Sequence, residues 1–272
     1  MPKNKTKRFR SSAEQWILDR STLRRIELRT GIDHSTKWRH AQSYAAHVPF
    51  PLQNYLKNKH LASHILMLDA TFINVDGDDC AIMIAWDTGI GVIDYWIDVT
   101  ENKTAYSYIF QRLDKTGYKP ICVVSDGSGA LLTAIEERNQ PHQRCIFYLL
   151  KNLRQMLTSG DDWRQPKDHV LYSRMKGIFK TGNIENLPER ISQFRQFERI
   201  FPGRKPVFDW FWKILPNAVL HLSYTEDVPR TTASLENLNG QIKARLKTFR
   251  GVKTERSLHN LLKILFHFRK YK

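Results

Sequence analysis

The sequence has few of the features that build secreted, zinc-ribbon or membrane proteins. Its 272 residues include three cysteines, Cys80, Cys122 and Cys145, and no Cys-x-x-Cys pair. We therefore predict neither a disulfide framework nor a zinc ribbon, which suits a reducing cytoplasm. No apolar run approaches the roughly 20 residues that span a bilayer. The first twelve residues lack the apolar stretch of a secretory signal, and no Gly-rich loop indicates an organic nucleotide cofactor.

Acidic residues are also scarce relative to basic ones. The chain has 43 Lys and Arg against 27 Asp and Glu, which leaves a net charge of +16. Such a charge favours a polyanionic partner, with nucleic acid ahead of an anionic membrane surface. A basic surface kept for solubility is the alternative. With 41% apolar residues, the chain can bury one large core or two smaller ones.

Two short helices are predicted near the N-terminus, behind a short basic arm without structure. Leu23, Ile26 and Leu28 are assigned to one helical side, and Gly31 interrupts the pattern. The residues that can cap the following helix are Asp33 and Ser35. Two helices joined by a tight Gly-containing turn predict a helix-turn-helix.

The second of these helices carries side chains that suit DNA. Those predicted to point outward, toward phosphates or base edges in a major groove, are Lys37, Arg39, His40 and Gln42. The net charge and the turn both favour the DNA interpretation. The alternative is a plain helical hairpin with a solvated basic face.

An α/β core is predicted after a linker that contains two prolines. A meander of antiparallel strands is indicated by three apolar, β-branched runs, HILMLDATFIN, DDCAIMIAWD and VIDYWIDVT. Helices and strands then alternate through TAYSYIFQRLDKTGY, KPICVVSDGSG, ALLTAIEERN, QRCIFYLL and KNLRQML. The order β-β-β-α-β-α-β-α is that of a ribonuclease H-like core, in which helices flank a mixed sheet.

The strand signal disappears between residues 160 and 222. Amphipathic helical patterns replace it around 171–179, 184–201 and 208–222, and they predict an α-helical insertion. The leucine stripe of the closing segment fits a core or a dimer face. The predicted domains are the basic arm and helix-turn-helix (1–48), a linker (49–62), the first part of the core (63–158), the insertion (159–228) and the C-terminal helices of the core (229–272).

Two acidic residues stand out because of their apolar surroundings. Asp69 follows ILML inside the first predicted strand, and Asp126 follows ICVVS at the tip of the fourth. The first and fourth strands are neighbours in this strand order, so we expect the two carboxylates to come together. A hard divalent cation would relieve their repulsion, and Mg²⁺ or Mn²⁺ prefers oxygen ligands. Asp126 alone also fits a simple turn, whereas an unpaired carboxylate in an apolar strand such as that of Asp69 is costly.

Glu236 is the third candidate, near the start of a helix predicted within 231–251. The stripe predicted to be buried consists of Leu235, Leu238, Ile242, Leu246 and Phe249. The neighbouring stripe begins with Glu236 and continues with Asn239, Gly240, Lys243 and Lys247. This order lets the acid reach a metal, Gly240 admit a close approach of DNA, and Lys243, Lys247 and Arg250 follow a phosphate backbone. The alternative is an acid favoured in the first turn by the helix dipole alone.

The residues resemble the Mutator-like transposases of bacterial insertion sequences, which belong to the DDE class. The matching segments are LMLDATF, VVSDGSGAL, PHQRCIFYLLKNL and TTASLENLNGQIKARLKTFRG, of which the last two are the most diagnostic. The residues that correspond to the metal-binding acids of that family are Asp69, Asp126 and Glu236. The chain departs from the usual pattern at Tyr148, where the family has histidine, and at Ala233, where it often has asparagine.

The resemblance implies an enzyme with a ribonuclease H-like core and two Mg²⁺ or Mn²⁺ ions, which cleaves and joins DNA at element ends. Cys145, Asn239 and Gly240 are expected to support the site. The implied partners are double-stranded DNA, as terminal inverted repeats and target, and further copies of the chain in a dimer or larger assembly at the bacterial nucleoid. Two alternatives are a transposase-derived DNA-binding regulator without catalysis and a nuclease of the same fold that cuts but does not join.

Overall fold

The chain forms two compact units in this computed structural model. Unit 1 comprises residues 1–119 and 233–272, and unit 2 comprises residues 120–232. The structure describes residues 3–17, 21–158, 166–247 and 252–268. No helix within these ranges combines the length and the apolarity needed to cross a membrane.

Helices and strands alternate through most of the described chain. The strands are β1 (Ile65–Val75), β2 (Asp78–Asp87), β3 (Gly91–Asp98), β4 (Cys122–Ser125) and β5 (His142–Arg144). The helices are α1 (Lys3–Ile17), α2 (Leu23–Thr30), α3 (His34–Ala45), α4 (Pro51–Lys57), α5 (Lys103–Lys115), α6 (Gly129–Glu137), α7 (Ile146–Thr158), α8 (Pro166–Phe179), α9 (Leu187–Glu198), α10 (Lys205–Ala218), α11 (Ala233–Lys247) and α12 (Glu255–Phe268). The order from β1 to α7 is the predicted β-β-β-α-β-α-β-α, and the α/β class is confirmed.

The strands of unit 1 form the predicted antiparallel meander. β1 pairs with β2 so that Asp69 lies opposite Ile84, and β2 pairs with β3 so that Ile84 lies opposite Tyr95. The β1–β2 connection is a two-residue turn in which Asp76 and Gly77 both have positive φ, 57° and 102°. This turn matches the twist of the two strands and sets their register.

The basic N-terminal segment is helical where the structure describes it, so the prediction of an unstructured arm is wrong. Ala13, Trp16 and Ile17 of α1 are buried. The Trp16 ring meets the ring of Trp38 in α3 edge to face, with centroids 5.9 Å apart. The arm is ordered because α1 has an apolar end that α3 can cover, which the basic composition of its first residues conceals.

Gly31 and Asp33, in the turn between α2 and α3, have the predicted roles. Gly31 adopts φ 67° and ends α2, and the carboxylate of Asp33 caps α3 by accepting from the backbone N–H of Ser35 and Thr36. The grouping of Leu28 with Ile26 is wrong, because Leu28 is 87% exposed while Ile26 is fully buried. Two residues along a helix are about 200° apart, so they cannot share a face.

The helices near the end of the chain complete the core of unit 1. α11 packs on β1, and α12 packs on α1, α3 and α4. The stripe of α12 is buried and consists of Leu258, Leu261, Leu262, Leu265 and Phe266. Asn260 donates to Gln42 at 2.7 Å, and Lys263 donates to the carbonyl of Ala45 at 2.7 Å. The leucine stripe was predicted to belong either to a core or to a dimer face, and in the structure it belongs to the core of unit 1.

Unit 2 begins with the parallel pair β4 and β5, in which Ser125 lies opposite Arg144. The prediction that IFYLL continues the strand is wrong, since these residues begin α7. Ile146, Leu149 and Leu153 recur at helical spacing and are all buried, so the run is one face of a helix. α8, α9 and α10 lie where helical patterns were predicted, and their core includes Phe179, Phe194, Phe208 and Phe211.

Candidate active site

Asp69 lies in the middle of β1, and its side chain is on the covered face of that strand. Along β1, Asp69, Thr71 and Ile73 are buried, whereas Phe72 between them is exposed, as the alternation of a strand requires. Asp69 Oδ1 accepts a hydrogen bond from the backbone N–H of Ala70 at 2.9 Å. The covered position of an acid in an apolar strand is costly unless its oxygens have donors or a cation.

The second donor to Asp69 comes from α11. Nδ2 of Asn239 donates to Asp69 Oδ2 at 2.8 Å, and Asn239 is itself buried. Leu235, Leu238 and Ile242 of the same helix are fully buried, which fixes the face that α11 turns toward the core. The sequence pattern therefore predicted the buried stripe of this helix correctly for these three residues.

Glu236 is in the first turn of α11 and is half-buried. It precedes Asn239 by three residues, so the two side chains share one face of the helix. α11 thus carries Glu236 on the face that contacts Asp69. β1 therefore supplies the Asp69 carboxylate and α11 supplies the Asn239 amide beside it, with the Glu236 carboxylate one turn earlier on the same helix.

Two buried oxygen atoms at this corner have no hydrogen-bond partner. They are Oδ1 of Asn239 and Oγ1 of Thr71. An orphaned buried acceptor is rare and calls for a ligand, an ion or a water. The donor chemistry and the unpartnered Asn239 oxygen both fit a hard divalent cation, which takes carboxylate and amide oxygens.

Asp126 belongs to unit 2 and follows β4 directly. Its Oδ1 accepts from the backbone N–H of Ser128 at 3.0 Å, and its side chain is half-buried. Ser125, just before it, is fully buried; its hydroxyl lies 2.8 Å from Nε2 of His142 and accepts from the N–H of Gly127 at 3.1 Å. Burial, together with the charge of Arg144, lowers the pKa of His142 to about 3, so this ring is neutral at ordinary pH.

Arg144 is a residue that the sequence analysis missed. Its Nη2 donates to the carbonyl oxygen of Asp126 at 3.3 Å, and its Nε is buried without a hydrogen-bond partner. Burial lowers the pKa of Arg144, while Asp126 acts in the opposite direction. Gly127 has φ 83°, and a Cβ there would overlap the guanidinium. The sequence did hold a signal for this contact. Arg144 ends the short strand β5, and Asp126-Gly127 follows the neighbouring strand β4.

The predicted outward face of α3 is mostly covered. Lys37 is 5% exposed, because it precedes the buried Ala41 and Tyr44 by four and seven residues on the same stripe. Burial, and then the charge of Arg29, lowers the pKa of Lys37. Of the four DNA contacts predicted on α3, only Arg39 is exposed.

The other two predicted contacts of α3 face neighbouring helices. His40 is half-buried and its ring is 4.8 Å from the ring of Phe9 in α1, and Gln42 accepts from Asn260 in α12. They were expected to point outward because a polar residue is usually solvated. Exposed cations that were not predicted as contacts occur on the preceding helix, α2, at Arg24, Arg25 and Arg29.

The remaining predicted residues divide between exposed positions and positions outside the described residues. Lys243 and Gly240 are exposed, and a Cβ at Gly240 would meet no atom within 4 Å. The side chain of Lys247 and all of Arg250 lie outside the described residues. Cys145 is buried in unit 2, where Thr232 Oγ1 donates to its sulfur at 3.5 Å.

Among the described residues, one group of three side chains meets the spacing of a metal site on geometry alone. It consists of Glu27, Asp33 and His34, whose potential ligand atoms lie within 4.8 Å of one another. His34 Nδ1 is 3.0 Å from Glu27 and 3.4 Å from Asp33. This group is at the surface, and its atoms are accounted for by the cap of α3 and by the contact between Glu27 of α2 and His34 of α3.

Comparison with known proteins supports the resemblance found in the sequence. A family model described as Transposase, Mutator family matches residues 57–271. No curated protein gives a significant match. The family match contains Asp69, Asp126 and Glu236 and spans more than three quarters of the 272 residues. The chain belongs to the Mutator family of transposases.

Proposed function

We propose that the protein is a DDE-type transposase that cleaves and joins insertion-sequence ends by metal-dependent phosphoryl transfer, with Asp69, Asp126 and Glu236 as its metal-binding acids. The observation that carries the proposal is the buried carboxylate of Asp69, held by α11, the helix that also carries Glu236. Family membership supports a transposase function. The ribonuclease H-like arrangement, which would bring Asp126 of unit 2 to the same site, is part of this proposal.

The residues of unit 1 suit the cation that such chemistry needs. Asp69 and Glu236 would hold Mg²⁺ or Mn²⁺, two ions in the complete site, with Asp126 as the further acid. Bound there, the cations would supply neutralisation of phosphate charge and acidification of the attacking water or 3′-hydroxyl. The protein contributes position: β1 and α11 are held by buried apolar stripes, so the backbone positions that carry the two carboxylates are set before DNA binds.

Two alternatives differ from this proposal in their chemistry. A transposase-derived regulator would bind DNA without cutting it, and a nuclease of the same fold would cut without joining. The exposed Arg24, Arg25 and Arg29 supply cations that either alternative could use, so DNA binding alone does not separate them. Assays of cleavage and of strand transfer separate these alternatives from the proposed function.

The test uses the full chain, labelled DNA that carries an element end, and an unlabelled target plasmid. We expect cleavage in Mg²⁺ or Mn²⁺, none in chelator, and transfer of the cut end to the plasmid. Glu236→Gln should bind the end and not cut it, since it keeps the shape of the side chain and removes its charge. Wild-type protein that binds but never cuts supports the regulator; cutting without joined products supports the nuclease.

We also propose that α2 and Arg39 of α3 contribute the phosphate contacts of the N-terminal helices. Lys37 is not among these contacts, because only 5% of the residue is exposed to solvent. Arg39→Ala and Lys37→Met form a matched pair on one helix. Arg39→Ala should weaken DNA binding and reduce its salt dependence by about one unit of log–log slope. Lys37→Met should leave the DNA affinity and the slope unchanged. The opposite pattern would place the DNA on the covered face of α3.

A further inference from the structure

Asn239 is one of two side chains at the Asp69 corner that have a buried oxygen without a hydrogen-bond partner, and it is the one that contacts Asp69. It lies on α11, is 8% exposed, and has one polar atom with a partner and one without. Its Nδ2 donates to Asp69 Oδ2, and its Oδ1 is buried and unpartnered. An amide has two donors and one acceptor oxygen, so the acceptor is the atom left unused.

The orientation of this amide follows from chemistry. An ionised carboxylate only accepts hydrogen bonds, so the amide must turn its NH₂ group toward Asp69. The amide oxygen therefore cannot be satisfied by rotation of the amide without breaking the contact with Asp69. Leaving a buried acceptor unsatisfied is unfavourable, and proteins rarely do so without a ligand, an ion or a water.

A metal cation would provide a partner for both the Asp69 carboxylate and the Asn239 Oδ1. We propose that Asn239 is a further ligand of the metal site: its Oδ1 binds the divalent cation that Asp69 binds, while its Nδ2 aligns the Asp69 carboxylate. This inference rests on the proposed function, because it requires Asp69 to be a metal ligand. Amide oxygens are ordinary ligands of hard divalent cations, and a group that orients a first ligand also raises metal affinity.

Substitutions of Asn239 separate its two roles. Asn239→Leu removes the oxygen and the donor together, and Asn239→Ala does the same with a smaller side chain in case leucine disturbs packing. Asn239→Asp keeps an oxygen ligand and removes the donor. Asn237→Leu is the matched control, because Asn237 is exposed on the same helix and accepts from Gln241 at its surface.

The measurement is the binding of Mn²⁺ to each full-length protein, followed by electron paramagnetic resonance without DNA. Asn239→Leu and Asn239→Ala should bind Mn²⁺ at the Asp69-dependent site about 10- to 100-fold more weakly, the loss expected for disturbed metal surroundings. Asn239→Asp should bind at least as tightly as wild type, and Mn²⁺ should raise its melting temperature more than that of wild type. Asn237→Leu should behave as wild type.

The outcomes distinguish failure of this inference from failure of the proposed function. Asp69→Asn reports the background, which includes any binding by the surface group of Glu27, Asp33 and His34. If wild type binds no more Mn²⁺ than Asp69→Asn, the metal site itself is wrong and both proposals fall. If wild type exceeds that background but Asn239→Leu and Asn239→Ala match wild type, the Asn239 oxygen is satisfied by water and only this inference falls. If Asn239→Asp and Asn239→Leu weaken Mn²⁺ binding equally, only the hydrogen bond that Asn239 donates matters. That result overturns the assignment of Asn239 as a metal ligand.

Discussion

Asp69 and Asp126 are held by different kinds of contact. Asp69 in unit 1 receives its side-chain partner from Asn239, 170 residues away along the chain. Asp126 in unit 2 receives a backbone N–H from Ser128, two residues on, and a guanidinium from Arg144, 18 residues on. One acid is paired with a neutral amide through tertiary packing, and the other sits in a local turn beside a cation.

This difference makes each acid sensitive to a different perturbation. The setting of Asp69 exists only when α11 is docked on β1 through Leu235, Leu238 and Ile242. The setting of Asp126 needs only the paired strands β4 and β5 and the turn after β4. Changes that loosen α11 should therefore reach Asp69, and changes in the turn or in Arg144 should reach Asp126.

The largest effect is expected from the acids themselves. Asp69→Asn and Asp126→Asn should each reduce cleavage of end DNA by more than about 100-fold, since loss of a metal ligand costs more than a disturbed neighbour of a ligand. Their affinity for end DNA should stay within a few-fold of wild type, because binding rests on exposed cations. A rate assay with a gel-shift control measures both. If one variant cuts at the wild-type rate, that acid is structural and is not a metal ligand.

Arg144→Gln tests whether the cation beside Asp126 matters to the chemistry. The substitution removes the charge and the hydrogen bond to the Asp126 carbonyl, so turnover at saturating DNA should fall about 10- to 100-fold with little change in DNA affinity. Arg138→Gln, at an exposed position of unit 2, is the control and should be near wild type. Equal turnover in the two variants would mean that the turn holds Asp126 without help from Arg144.

Gly127→Ala tests the contact between Arg144 and the turn after β4 by its effect on the free energy of unfolding. Gly77 and Gly127 both have positive φ, 102° and 83°, but a Cβ at Gly77 would meet nothing within 4 Å, whereas one at Gly127 would overlap Arg144. Gly77→Ala should cost about 1–2 kcal/mol in free energy of unfolding for the backbone conformation alone. Gly127→Ala should cost at least about 1 kcal/mol more, because Arg144 must also move. Urea denaturation measures the difference, and equal costs would show that Arg144 moves aside freely.

The smallest effects are two pH dependences of opposite sign, one in each unit. In unit 1, burial raises the pKa of Asp94 to about 7 although Arg112 lies 3.0 Å away. The folded state therefore holds a proton that the unfolded state has lost, and this stability falls as pH rises from about 4 to 7. In unit 2, His142 has its pKa lowered to about 3, so its contribution is present above about 6.5 and is lost as pH falls toward 3.

Removing each group should remove its slope. The free energy of unfolding of Asp94→Asn should fall less than that of wild type between pH 5 and 7, and that of His142→Asn should fall less between pH 6.5 and 4.5. Each difference is at most about 1.4 kcal/mol per pH unit. Denaturant titrations at several pH values measure it. The difference between wild type and variant should fall with rising pH for Asp94 and should rise with pH for His142. Two differences that change in the same direction would contradict one of these pKa shifts.

The sequence predicted well wherever a pattern is repeated within a short window. The order from β1 to α7, the helices α8 to α10 and the buried stripes of α11 and α12 all follow from spacings of two, three or four residues. The cap at Asp33 and the turn at Gly31 were likewise visible, since both depend on backbone groups within four residues. The boundary between β5 and α7 was missed because a short apolar run fits a strand and a buried helix equally.

The sequence by itself therefore determined most of the secondary structure outside α1 and the start of α7, the strongly basic charge and the candidate acids Asp69, Asp126 and Glu236. Tertiary structure alone decided that Lys37 is covered, that Asn239 reaches Asp69 and that Arg144 lies against Gly127. The physical reason is the range of the interactions. Helical and strand periods arise from neighbours along the chain, whereas the cover over a side chain comes from another element whose position no local spacing encodes.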